Sequence, residues 1–248
     1  LLTHHADSYL RIKLPKDGQY LLHVADTQGH GSKAHCYRVR VGPPQPDFTL
    51  RVSPSTISTI GGRSVPITAY VSRIDGHNSP VTITTRNAPR GFFLRGATVP
   101  AGRDSITFTL TTPAQAPTGP ITLEMEGRSQ MGRSTVTRPA FPSDNVMQAF
   151  LWRHLAPSRE MVVGVARRKW SQPTPRLVGE LPVKVPVGSP KLVKMTLPAR
   201  KAPEFELVAR DAPDGVTITN TKTSPGGFSF EINAEGGKVE PGYADNLI

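Results

Sequence analysis

At 248 residues the chain exceeds one small sandwich domain of roughly 100 residues and suits two such domains with a remnant. Its 25 prolines, 22 glycines and 6% aromatics, without the Ala-Leu-Glu-Lys richness of helical proteins, point to short strands with frequent turns, and its single cysteine excludes an intrachain disulfide. The net charge of +11 is spread evenly, with six basic and three acidic residues over 1–46, ten and five over 47–143, and fourteen and eleven over 144–248, a distribution that disfavours a nucleic-acid surface.

The first elements alternate. In 8–14 (SYLRIKL), Leu10, Ile12 and Leu14 share one side and Tyr9, Arg11 and Lys13 the other, the period of a half-buried strand. Pro15-Lys16-Asp17-Gly18 is a turn, because proline presets φ and glycine accepts the left-handed conformation. Tyr20, Leu22 and Val24 resume the alternation, and Tyr37, Val39 and Val41 repeat it after a loop rich in glycine and histidine. Residues 8–41 therefore read as three strands with one apolar face and no covering layer, and Gly42-Pro43-Pro44-Gln45-Pro46 as a stiff linker.

A second unit follows, with strands expected at 48–53, 65–73, 81–86, 92–95, 105–111, 120–127 and 133–138. The inward sets are Phe48, Leu50 and Val52; Val65, Ile67, Ala69 and Val71; Ile106, Phe108 and Leu110; Ile121, Leu123 and Met125. Seven short strands with turns every 8 to 12 residues, or thereabouts, make the pattern of an immunoglobulin-like sandwich. Residues 139–160 break the rhythm: Ser143 or Asp144 either caps about two helical turns through Leu155, or the segment runs extended.

The third stretch echoes the second. Asn87-Ala88-Pro89-Arg90-Gly91 returns 124 positions later as Asp211-Ala212-Pro213-Asp214-Gly215, and SITFTL at 105–110 is answered by GFSFEI at 227–232. The expectation is a second copy of the same sandwich, cut short at its C-terminal side. The fold class expected is thus all-β: tandem antiparallel immunoglobulin-like β-sandwiches preceded by part of a jelly-roll-like sandwich. The divisions are 1–44, 47–140, a connector at 141–159 and 160–248.

The N-terminal motifs are Asp7-Ser8-Tyr9-Leu10, Leu14-Pro15-x-Asp17-Gly18-x-Tyr20, Asp26-x-x-Gly29 and Tyr37-Arg38-Val39-Arg40-Val41. Over residues 7–42 they resemble the bacterial pre-peptidase C-terminal domain as it occurs in large exported proteins, followed by immunoglobulin-like repeats. The resemblance implies a small non-catalytic sandwich appended to secreted enzymes or surface proteins, and an extracytoplasmic setting. The start LLTHHADS lacks the order of a signal peptide, so an exported parent would carry its signal upstream. No stretch approaches the roughly 18 apolar residues of a membrane span.

Candidate sites are few. His23, His30, His35 and Cys36 are residue types that zinc favours, but strand alternation sends Cys36 to the face opposite His35 and there is no C-x-x-C pair; a hairpin loop is the better reading. Gly29-His30-Gly31-Ser32 offers a serine near a histidine without the G-x-S-x-G elbow of acyl-transfer enzymes. Asp7, Asp17 and Asp26 sit on separate turns, although some relatives of the resembled family bind calcium. Arg167, Arg168 and Trp170 are the candidate ligand contacts, able to grip an anionic polymer or stack on a sugar, against the alternative of a strand end entering a proline-rich loop. No catalytic residue, metal or cofactor is expected. The partners expected are other domains of the parent protein, neighbouring copies or a polysaccharide. The role expected is a non-catalytic spacer, adhesion or assembly region, with a substrate- or glycan-binding accessory module of a secreted enzyme as the alternative.

Overall fold

The computed structural model describes residues 10–26, 28–115, 117–148, 152–167, 174–198, 205–210 and 212–248. The strands are β1 (Asp47–Ser53), β2 (Thr56–Ile60), β3 (Ser64–Ile74), β4 (Val81–Thr85), β5 (Phe93–Arg95), β6 (Thr98–Val99), β7 (Ser105–Thr111), β8 (Ile121–Leu123), β9 (Met125–Met131), β10 (Ser134–Gln148), β11 (Trp152–Pro157), β12 (Met161–Ala166), β13 (Arg176–Val178), β14 (Lys191–Thr196), β15 (Val216–Ser224) and β16 (Gly227–Ala234). No helix occurs among the described residues. The expected all-β, sandwich-type class is what the chain adopts.

The first unit is built on the sets legible in the sequence. Phe48, Leu50 and Val52, Ile67 and Ala69, and Phe108 and Leu110 are fully buried, with Val71, Ile106, Leu123 and Met125 nearly so. Apart from Leu123, which lies on β8 of the β2-β12-β8 sheet, they sit on strands of the order β5-β7-β3-β1-β10-β9-β4-β6, and side chains from both halves of that order join one core cluster. Each such burial contributes about 1.5–3 kcal/mol before entropy is counted. The pivot is β1, antiparallel to β3 on one side and parallel to β10 on the other, with Leu50 opposite Ala140.

The expected boundary at residue 140 cuts through β10, and the strand pairing corrects it. β10 follows β9 from Ser134 to Ala140, stays beside β1 through Pro142, and from Ser143 forms a hairpin with β11. The chain returns as β12, pairing Met161 with Leu123 on β8 and Val162 with Thr56 on β2. Met161 and Val163 are in the core of the first unit. Residues 143–160 are thus an insertion in a single strand line, closed at its root by the Ser158 amide donating to the Pro142 carbonyl at 2.8 Å. Of the two conformations open to the connector, the extended one is adopted. Ser143 is fully buried, and Asp144 accepts from the Ser55 amide (2.9 Å) and hydroxyl (2.7 Å).

Beyond the first unit the described residues form one four-stranded antiparallel sheet, β13-β14-β16-β15. Its buried apolar residues are Val193, Phe228, Ile232 and Ala234, with Phe205 edge-on to Phe228 at 4.8 Å. The strand order repeats β1-β3-β7-β5 position for position, and a positive-φ glycine, Gly91 or Gly215, comes just before β5 and β15.

The three strands expected in 8–41 are not formed in the described parts, 10–26 and 28–46. Leu10, Ile12, Leu14, Tyr20, Leu22, Val24, Tyr37, Val39 and Val41 are all exposed. An apolar face gains nothing from alternation until a second layer covers it, and a three-stranded meander without one is marginal. The linker is tied at its end, where the Gln45 amide donates to the Asp75 carboxylate at 2.7 Å.

Candidate binding cleft

Among the described residues, those singled out in the sequence do not converge on one site. Arg167 is exposed just past β12, while Arg168 and Trp170 lie outside the described residues, as does Asp7. In the histidine loop, the His30 Nδ1 lies 3.7 Å from Asp26, and the Ser32 hydroxyl and the His35 Nδ1 are 2.9 Å apart, both pairs exposed local contacts. Cys36 is exposed. Among the described residues no three His, Cys, Asp or Glu side chains gather as a metal would require.

A different serine–histidine pair is buried in the first unit. The His77 Nε2 lies 2.8 Å from the Ser129 hydroxyl, and the ring stacks on Phe48 with centroids 5.3 Å apart. The tautomer follows from the neighbours. Arg73 can only donate and reaches the His77 Nδ1 at 3.2 Å, so that nitrogen accepts and Nε2 carries the proton. Ser129 in turn donates to the Pro80 carbonyl at 2.8 Å. The serine therefore faces a donor instead of a base and is not activated. Burial, and then the Arg73 charge, hold the His77 imidazole below its ordinary value, with Asp47 pulling weakly the other way. Arg73 also donates to the carbonyls of Ser79, Pro100 and Arg103 at 2.8 Å each, so the pair belongs to a network pinning two loops.

The concave site lies on the outer face of the β1-β3-β7 layer. The alternation that turns Ile67, Ala69 and Val71 inward turns Thr68 and Tyr70 outward, and Ser105 and Thr107 do the same on β7. These four hydroxyl-bearing residues floor a cleft of about 400 Å³. Thr68 and Thr107 hydroxyls pair across the strands at 3.1 Å. One wall is the β10–β11 hairpin, which contributes Asn145 and is anchored where Arg51 donates to the Leu155 carbonyl at 2.8 Å. Burial pushes the Tyr70 phenol up, partly opposed by hydrogen bonds with Asn145 and Thr68.

The other wall comes from the far end of the chain. Arg103 meets Asp245 at 2.7 Å and lies over the Tyr243 ring, 4.7 Å from its centroid, while the Tyr243 hydroxyl donates to Asp245 at 2.7 Å. The Asn246 amide donates to the carbonyls of Gly96 and Thr107, both at 2.8 Å. These two acceptors are available because β5 stops at Arg95, opposite Thr109, leaving the rest of the β7 edge without a strand partner on that side. Arg210 completes the rim, its backbone amide donating to the Ile248 carbonyl at 2.8 Å. The sequence carried no sign of this cleft beyond the outward residues themselves, since its walls are 38 and more positions from its floor.

No family model matches the chain, and no curated protein matches it. Solved structures that match include a marsupial T cell receptor, to which the chain is similar over 75% of its own length and 84% of the other chain, at 11% identity and a TM-score of 0.26.

Proposed function

We propose that this chain is a non-catalytic spacer, adhesion or assembly region of an exported bacterial surface protein, with residues 1–44 belonging to a pre-peptidase-like domain and the second sheet to a second immunoglobulin-like copy. The observation that carries the proposal is the joint. Tyr243, Asp245 and Asn246, from beyond the second sheet, are held on the first sandwich by an ion pair, a ring contact and two hydrogen bonds to backbone. Relative motion of domains is the default, and specific contacts that hold this segment on the first sandwich limit it, which suits a spacer. The matching strand orders support the reading of two copies. The serine–histidine geometry supports the non-catalytic part, because neither pair has a hydroxyl aimed from a base into a cleft.

The test has two arms. An antibody raised against the full chain is expected to label intact cells of the source organism; labelling only after lysis overturns the surface assignment. Small-angle scattering of the purified chain is expected to fit one fixed arrangement, and a broad ensemble of separations overturns the spacer role.

A second reading, a glycan-binding accessory module, is favoured by the cleft. Its lining of hydroxyls, amides and guanidinium groups is the kind that exchanges hydrogen bonds with sugars.

A further inference from the structure

We infer that the polar face of the second sheet, around Ser229, binds a polysaccharide carrying sulfate or phosphate esters, with Lys194, Lys222 and Arg176 gripping the ester groups. The site is on the second unit and is independent of the cleft on the first.

The register sorts the sheet into two faces, because residues directly opposite in an antiparallel ladder share a face and the faces alternate along each strand. One face is apolar: Val193 opposite Phe230, Ile218 opposite Ile232 and Val216 opposite Ala234. The other carries Lys194, Ser229 and Lys222 in one row across three strands, and Arg176, Thr196, Gly227 and Ser224 in the next. None of these residues adjoins either terminus.

Lys222 reaches that row only through a break in the ladder. Thr219 stands opposite Glu231, and an unbroken register from there would bring Lys222 opposite Phe228, on the apolar face. The register shifts between Thr219 and Lys222, with Asn220 at a left-handed φ of 52°, and Lys222 comes opposite Ser229 instead. A bulge that re-aims one side chain is a feature of functional edges. Here it puts a second ammonium beside the first: with strands about 4.8 Å apart, the two lysine backbones flank Ser229 about 10 Å from each other. Their flexible stems can converge above its hydroxyl.

The charge on this face is unmatched. Lys194, Lys222 and Arg176 are exposed and make no ion pair among the described residues. The one carboxylate on the polar face of these strands, Glu231, accepts from the Asn220 amide at 2.6 Å. The Thr196 and Ser224 hydroxyls donate to the Arg176 and Gly227 carbonyls at 3.3 and 3.4 Å, whereas the Ser229 hydroxyl makes no hydrogen bond among the described residues. The donors left over are thus two ammoniums, one hydroxyl and one guanidinium, bordering a groove of about 380 Å³.

That donor set selects the ligand. An ammonium is a point charge with three rotatable donors, suited to a tetrahedral oxyanion, whereas planar carboxylates favour bidentate arginine. Exposed cations hold a single ion weakly, but a polymer presents a second ester to Arg176, diagonal to Lys194 at about 7–8 Å, once the first is bound. The face has no aromatic side chain on which bases could stack, which disfavours single-stranded nucleic acid.

The experiment is calorimetric titration of the full chain, at low ionic strength, with dextran sulfate, phosphomannan, polygalacturonate, neutral dextran and a single-stranded oligothymidylate. One or both ester polymers are expected to bind, the tighter naming the ester, with polygalacturonate weaker and dextran silent. Lys194→Gln combined with Lys222→Gln is expected to weaken binding at least about tenfold, the factor that one charge-assisted hydrogen bond of roughly 1.5 kcal/mol carries. Either single variant gives a smaller loss of the same sign, and a melting curve checks folding. Arg133→Gln combined with Arg159→Gln removes the same charge from exposed positions on the first unit and is expected to leave binding nearly unchanged. Equal losses in the two double variants overturn the inference in favour of non-specific attraction to a basic chain. Polygalacturonate or dextran binding as tightly as the esters overturns it, as does failure of both esters to bind. Tighter binding of the oligothymidylate overturns it in favour of a nucleic-acid ligand.

Discussion

The guanidinium of Arg103 and the carboxylate of Asp245 stand 2.7 Å apart although 142 positions separate them. Asp245→Ala is expected to loosen the joint while leaving the first sandwich folded. With Arg103 37% exposed, the pair itself is worth about 1 kcal/mol or less, and Asn246→Ala removes two further hydrogen bonds of about 1 kcal/mol each. The double variant should show a larger radius of gyration and faster proteolysis between 167 and 243. An unchanged scattering curve would mean that the contact does not hold the units together.

His77 makes the first sandwich acid-sensitive. Its folded value lies below the ordinary 6.5, so the folded state resists protonation while the unfolded chain accepts the proton. The stability this contributes is fully present above about pH 6.5 and is lost as pH falls from there towards the lower folded value. The groups facing the ring are Arg73 at Nδ1, Ser129 at Nε2, Phe48 on its face and Asp47 nearby. Protonation at Nδ1 would set two donors against each other. Melting temperatures of wild type and His77→Gln, taken between pH 7.5 and 5, should show the steeper fall in wild type; parallel curves would contradict the role assigned to the ring.

Gly127 on β9 sits where a methyl has no room. A Cβ there would lie 2.7 Å from the Leu50 Cδ2, 2.9 Å from the Val81 Cγ1 and 3.1 Å from the Phe48 Cε2. Gly127→Ala is expected to cost about 1–3 kcal/mol by overpacking, read by chemical denaturation. Gly119, whose Cβ position is open, is the contrast for crowding, although its φ of 86° adds backbone strain of its own.

Met161 tests where the first domain ends. If β12 belongs to the first sandwich, Met161→Ala should lower that unit's stability by about 2–5 kcal/mol and speed hydrogen exchange at β2 and β8 together. Faster exchange confined to β13–β16 would return the strand to the second unit.

The parts of the fold legible in the sequence were those whose signal lies within five or ten residues. Phe48-Leu50-Val52 and Ile106-Phe108-Leu110 announce both the strand and its buried face, and the core uses them as read. β2 was missed because TISTI buries only Ile57 fully, and β6 because it is two residues long. The same alternation at 10–14 and 37–41 led to strands that did not form, since periodicity states which face would be covered and says nothing of whether anything covers it. Of the binding candidates chosen for their residue types, Arg167 does not line the cleft, and Arg168 and Trp170 lie outside the described residues.

By itself, then, the sequence determined the class of structure. Side chains alternating every second position, with proline and glycine between them, can satisfy backbone and apolar groups together only as stacked strands. Tertiary structure alone decided that β12 completes the strand line left by β10, that residues 143–160 stand out as a hairpin, and that Asp245 and Asn246 close one wall of a cleft floored by β3 and β7. The reason is that pairing energy depends on which edges and faces remain open once the chain has collapsed. That is a property of the assembled sheet and is not written in any single stretch of it.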